Sequence, residues 1–183
     1  MRKLIFLFLF LVVALTLNCQ AGSASRSARQ NFTIVIPEGW TRFSSSDYFM
    51  LTREGVFSQY ILVLQRGVDQ PFSHTENRLR KDMSPKEAAG VITDELSSDD
   101  NLVNFQSLEY TPAKVGGYNG FKIVFRYQNK NGQTFRTAFY GLLEGNWFYS
   151  LRYCAQETKY SDEDLKAFQK VVNSFRIGAE RPG

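Results

Sequence analysis

Residues 121–153 constrain this chain more than any other stretch, because three alternating runs separated by two turns confine them to an antiparallel meander. Phe121, Ile123, Phe125 and Tyr127 alternate with Lys122, Val124, Arg126 and Gln128. Phe135, Thr137 and Phe139 resume the alternation after Asn129-Lys130-Asn131-Gly132, and Trp147, Tyr149, Leu151 and Tyr153 follow Glu144-Gly145. A period of two is that of a strand. Connections this short join antiparallel neighbours, because a parallel crossover needs a dozen residues or more. The aromatic content agrees: 15% of the chain, with 16 Phe and 9 Tyr, favours sheet.

The turns set the register. A two-residue loop at Asn131-Gly132 would place Tyr127 opposite Arg136 and put the apolar faces out of phase. A three-residue loop with Gly132 in the left-handed conformation restores the match. Phe125 then faces Thr137, and Ile123 faces Phe139. The same reasoning applied to Glu144-Gly145-Asn146 places Phe139 opposite Leu151 and Leu143 opposite Trp147. On the other face this register sets Arg126 directly against Arg136, with Arg152 one step diagonal and Lys122, Tyr140 and Ser150 further along. Like charges opposed in a sheet are destabilising. The three arginines are therefore candidate ligands of an anion, the alternative being solvated side chains with carboxylates nearby.

Around this meander the other elements fall into place. Phe32 to Ile36 alternates as a strand and is closed by the Pro37-Glu38-Gly39-Trp40 turn. Tyr48–Arg53 and Ser58–Arg66 read as two more strands. The unbroken run Tyr60-Ile61-Leu62-Val63-Leu64 suggests cover on both faces. Residues 67–83 lack periodicity, and loops of that length are often functional or mobile. Ser84-Pro85-Lys86-Glu87 has the form of a capping box with proline at the first helical position. Ala88, Val91, Ile92 and Leu96 supply that helix with an apolar stripe. Val103 and Phe105 share one strand phase and Leu108 and Tyr110 the other, so a bulge separates them. Ser161-Asp162-Glu163-Asp164 caps a second helix, with Leu165, Phe168, Val172 and Phe175 as its seam. Three strands, a helix, four strands and a helix, without βαβ alternation, predict an α+β domain: a mainly antiparallel sheet of about seven strands with two helices packed on it.

The N-terminus indicates a compartment. Arg2 and Lys3 precede the apolar run Leu4 to Leu17, interrupted only by Thr16. Its 14 residues suit a signal-peptide core and fall short of the ~20 that span a bilayer. The alternative is an uncleaved anchor. The run ends Leu15-Thr16-Leu17-Asn18-Cys19, similar to the lipobox of bacterial lipoproteins, in which a cysteine takes diacylglycerol after cleavage. Leu15 stands four residues before Cys19 rather than the usual three, and Asn18 replaces a small residue. Cleavage after Ala21 or Ala24 is the other reading. Acyl chains at ~0.8 kcal/mol per buried CH₂ would hold the protein on a membrane without a spanning helix. The expected organisation is a signal peptide over 1–19, a flexible tether over 20–31, one domain over 32–177 and a short tail over 178–183. Loss of Arg2 and Lys3 with the signal lowers the formal charge from +4 to +2.

Reactive groups are sparse. His74 is the only histidine and lies in the irregular loop. Cys154, in a strand, reads as a small buried hydrophobe or, alternatively, a reactive thiol near Arg136 and Arg152. Asp99-Asp100 and Asp162-Glu163-Asp164 lack the spacing of a calcium loop, and no paired Cys or His ligands exist for zinc. No metal or cofactor is therefore expected. Basic residues are interleaved with acids, which argues against nucleic acid.

Three segments carry a likeness to a known family: Phe32 to Trp40, a strand closed by a Pro-x-Gly-Trp turn; the Gly116-Gly117-Tyr118-Asn119-Gly120 turn before a long hairpin; and the closing helix Phe168 to Phe175. With the order of elements, they make residues 32–177 resemble the Mog1/PsbP-like fold, and within it the small exported bacterial proteins related to PsbP. The resemblance implies a non-enzymatic accessory or binding protein and names no ligand. The expectation is an exported protein of the cell envelope, anchored through lipid on Cys19, with an unknown protein or anionic small molecule as partner. An enzyme acting on an anionic envelope molecule, with Tyr140 or Cys154 assisting an arginine face, is the rival reading.

Overall fold

In a computed structural model, residues 31–44 and 48–178 are described. The expected signal peptide, Cys19, the expected tether up to Gln30 and the expected tail beyond Gly178 lie outside them. Seven strands form one antiparallel sheet in the order β2 (Thr41–Ser44), β3 (Phe49–Thr52), β4 (Gln59–Gly67), β8 (Trp147–Gln156), β7 (Thr134–Glu144), β6 (Tyr118–Gln128), β5 (Val103–Val115). Two helices, α1 (Pro85–Ser97) and α2 (Asp162–Ser174), pack on it. A separate two-stranded ribbon pairs β1 (Phe32–Thr33) with β9 (Arg176–Ile177).

The first predicted strand is shorter than its alternation suggested. Val35 and Ile36 are 63% and 43% exposed, because β9 offers only two residues to pair with. The seventh strand of the sheet is instead β2, which sequence patterning did not single out. Trp40 ends the expected turn, with its amide donating to Pro37 O at 3.2 Å. Its ring is buried edge-on against Tyr153, centroids 6.1 Å apart.

Alternation along the central strands sends side chains to two separate cores. Phe121, Ile123, Phe125, Phe139 and Phe148 join Ala88, Ala89 and Ile92 of α1 on one face. Ala138, Tyr140, Leu142, Tyr149, Leu151 and Tyr153 join Phe168, Val171 and Val172 of α2 on the other. The sheet is thus the middle of three layers, and its central strands are apolar on both sides. Burying some thirty apolar side chains is the main stabilising term.

Local signals hold where they were explicit. The Ser84 side chain accepts from the Glu87 amide, and the Glu87 carboxylate accepts from the Ser84 amide at 2.8 Å, completing the capping box. Ser84→Ala should cost about 1 kcal/mol in chemical denaturation. An unchanged midpoint would show that water replaces the cap. The bulge in β5 appears as register shifts between Val103 and Gln106 and between Ser107 and Glu109. The first long hairpin closes as expected. Gly132 has φ 77°, and Asn129 and Gln133 bond across a three-residue loop. Phe125 pairs with Thr137, Ile123 with Phe139 and Arg126 with Arg136.

Candidate functional site

Arg126 and Arg136 sit directly opposite each other on the α2 face, two pairs from the β6–β7 turn. Among the described residues neither guanidinium has a carboxylate within ion-pair distance. Arg136 lies 4.9 Å from the centre of the Tyr160 ring, a cation–π contact that compensates part of the repulsion. Its Nε is buried and without a hydrogen-bond partner. Glu109, on β5 opposite Val124, is engaged by Lys122 Nζ at 3.0 Å. Burial, then Glu109, pushes the Tyr140 hydroxyl up, and Tyr140 donates to Gln169 Oε1 at 2.9 Å.

Beside Arg126 the β5 bulge opens a polar hollow of about 370 Å³, lined by Asn104, Phe105, Gln106, Arg126, Tyr127 and Gln128. Asn104 adopts φ 54°, a left-handed conformation that asparagine tolerates better than most residues. Its side-chain amide donates to Gln128 Oε1 at 2.8 Å. Bulges recur beside functional sites because they re-aim side chains and end pairing.

Arg152 does not belong to this cluster, which corrects the three-arginine expectation. The second hairpin turns through two residues, Gly145 and Asn146, with Glu144 paired to Trp147. Only Gly145 of the two has positive φ, at 57°, as in a II′-like turn. Leu143 therefore faces Phe148, and Tyr140 faces Leu151. A one-residue change of register flips every side chain. Arg152 and Ser150 thus lie on the α1 face, with Arg152 paired to Phe139 and Leu62. The physical reason is that β8 is apolar on both faces, so alternation could not choose between the two registers. Tyr140 and Lys122 remain on the face of Arg126.

On the α1 face Arg152 neighbours Tyr60 and Cys154. Its guanidinium is 5.6 Å from the Tyr60 ring centre, and its Nε is buried and unpartnered. Cys154 is buried, with the Tyr127 hydroxyl 3.4 Å from its Sγ. Burial pushes both Tyr60 and Tyr127 well above the usual phenol range, with Arg152 opposing the shift. These phenols stay protonated and are unsuited as bases.

Along the same face an apolar cleft of about 320 Å³ opens between α1, the 67–83 loop, β4 and β8. Leu64, Phe72, Ile92, Leu96, Phe139 and Phe148 form its walls, with Arg66, Glu95 and Ser150 as polar groups. The loop is organised. The Glu95 carboxylate accepts from the amides of Ser73, His74 and Thr75 at 3.0–3.2 Å and from Thr75 Oγ1 at 2.9 Å. Arg66 lies 3.8 Å from the Phe72 ring centre and donates to Gln70 O and Pro71 O. His74 Nε2 stands 3.7 Å from Asp99 Oδ2. Sequence reading missed Arg66, Phe72 and Glu95. A glutamate late in a helix reads as a solvated residue until a loop is seen to fold over it.

Among the described residues no three His, Cys, Asp or Glu side chains gather to hold a metal. No helix among them is long and apolar enough to cross a membrane. No family model and no curated protein matches the chain by sequence. Solved structures match by shape. LpqN, involved in cell envelope biogenesis of Mycobacterium tuberculosis, superposes with TM-score 0.57 at 16% identity, covering 80% of this chain and 83% of that one. A point variant of Mog1 gives 0.53 at 14% identity over 80% of this chain and 90% of that one. The cyanobacterial PsbP of Synechocystis gives 0.51 at 10% identity over 85% and 95%. The chain has a Mog1/PsbP-like fold.

Proposed function

We propose that this is an exported, lipid-anchored binding or accessory protein of the cell envelope and not an enzyme. The observation that carries the reading is the organised apolar cleft on the α1 face. Its walls offer burial to a ligand or partner, and Glu95 holds the covering loop in place by four donors. The groups nearest to chemistry suit binding better than turnover. Cys154 is 1% exposed, and burial keeps the neighbouring phenols protonated. Similarity in shape to a protein of cell envelope biogenesis supports the compartment. The signal-like N-terminus ending at Cys19 supports the anchor.

Growth with radiolabelled palmitate tests the anchor. Label should enter the wild-type protein, which should fractionate with membranes. Cys19→Ser should lose the label and leave the membrane fraction. Label that survives the substitution would remove the lipid from this reading.

A further inference from the structure

We infer that Arg126 and Arg136 form a binding site for a phosphomonoester, at the end of the sheet opposite Asn31. The inference rests on the binding-protein reading above and is independent of its anchor.

The charge arrangement is the first ground. Strand register sets Arg126 directly opposite Arg136 on one face, with no carboxylate in ion-pair range of either among the described residues. Glu109, an acid on that face, is engaged by Lys122. The local excess is two positive charges, which a phosphomonoester dianion neutralises and a single carboxylate does not. Planar guanidinium forks match phosphate oxygens two at a time. Tyr160 stacks on Arg136 but accepts nothing from its Nε, which is buried and unpartnered.

The second ground is the hollow beside Arg126. Gln106 is the cross-strand partner of Arg126, and Gln128 lies two residues along β6 on the same face. Because Gln128 Oε1 accepts from Asn104, the remaining Gln128 polar group is its NH₂, a donor. The recess thus combines guanidinium and amide donors, and its lining includes no carboxylate.

Asn31, where the described chain begins, is fastened at the other end of the sheet, its amide donating to Gln65 Oε1 and its side chain accepting from Tyr149. Arg136 is paired with Ala155, six residues along β8 from Tyr149, or about 20 Å at the rise of a strand. Comparison of soluble probes with vesicles separates a soluble phosphomonoester from a membrane headgroup.

The test uses the full chain with phenyl phosphate and inorganic phosphate as soluble probes, acetate as the carboxylate comparison, and phosphatidylglycerol vesicles as the membrane comparison. NMR of the arginine Nε–Hε signals in the wild type should show Arg126 and Arg136 shifting with phosphate while Arg152 stays fixed. Arg126→Gln or Arg136→Gln should weaken phenyl phosphate binding about tenfold, and Arg152→Gln should leave it unchanged. Four results would each overturn the inference: silent Arg126 and Arg136 signals, binding unaffected by both Gln variants, acetate binding as tightly as phosphate, or binding to vesicles alone. A double Gln variant that gains stability while the wild type binds no phosphate would mark the arginines as strained neighbours only. Palmitate labelling does not depend on these residues, so failure here and failure of the anchor are separately visible.

Discussion

Gly116→Ala should destabilise the domain by more than about 3 kcal/mol, enough to unfold a marginally stable protein. Gly116 has φ +59°, and a Cβ there would lie 1.8 Å from the Phe175 carbonyl oxygen. That oxygen belongs to backbone, so no side-chain rotation relieves the clash. Close approach is required because the β5–β6 turn docks on the end of α2. The Gly116 amide donates to Val172 O at 2.9 Å, and Arg176 Nη1 donates to Gly116 O, Asn173 O and Phe175 O. Gly117 makes a control one residue away. It has φ +98°, but nothing lies within 4 Å of a Cβ built on it. Gly117→Ala should therefore show only the backbone cost, about 1–2 kcal/mol. Urea denaturation of both variants, at unchanged m-value, separates clash from strain. Equal losses would mean that the turn and α2 can separate without cost.

Raising the pH above about 10 should destabilise the fold steeply. Burial pushes the phenols of Tyr60, Tyr127 and Tyr153 well above the usual value near 10, and that of Tyr160 up to about 12. Tyr153 is fully buried, with its hydroxyl 3.4 Å from Gln59 Oε1 and 3.5 Å from Asp164 Oδ2. The Asp164 charge adds to the burial effect. A folded pKa above the unfolded one means that the unfolded chain releases its proton first. The stabilisation is thus complete below pH 10 and is lost as pH climbs from there, through about 12 for Tyr160. Each phenol held protonated only in the fold contributes a slope approaching 1.4 kcal/mol per pH unit. The denaturation midpoint should fall from about pH 9 to about pH 11, in step with tyrosinate absorbance. Tyr153→Phe removes one titrating group and should reduce the slope, which assigns the loss to the tyrosines. A midpoint flat across that range would mean the phenols reach solvent.

How legible each feature was depends on how local its cause is. The α1 cap was readable because Ser84, Pro85 and Glu87 fall within one turn of chain. The register of the first hairpin was readable because only one loop length aligns the aromatic rows of β6 and β7. That register alone sets Arg126 against Arg136. The same reasoning failed one hairpin later. On β8, Phe148 and Cys154 are as buried as Tyr149 and Tyr153, so both registers satisfy the hydrophobic pattern, and the turn chose. That single residue of slip moved Arg152 to the other face. The alternation at Phe32 to Ile36 overreached for a related reason, since a strand extends only as far as its partner and β9 stops at two residues.

The apolar cleft was hidden by distance. Glu95 reaches back some twenty residues to the amides of Ser73, His74 and Thr75, and no periodicity links those positions. Nor did the 67–83 stretch reveal that Arg66 would stack on Phe72. Composition, alternation and caps were enough to establish an α+β domain with an antiparallel sheet and two helices. They act through neighbours three or four residues apart, or through one face of one strand. Which arginines share a face, where the loop folds and which recesses open depend on contacts between segments that sequence separates. Such contacts form only when the α1 and α2 layers close on the sheet, because only then do burial and unpaired charge choose among arrangements that local pattern leaves equal.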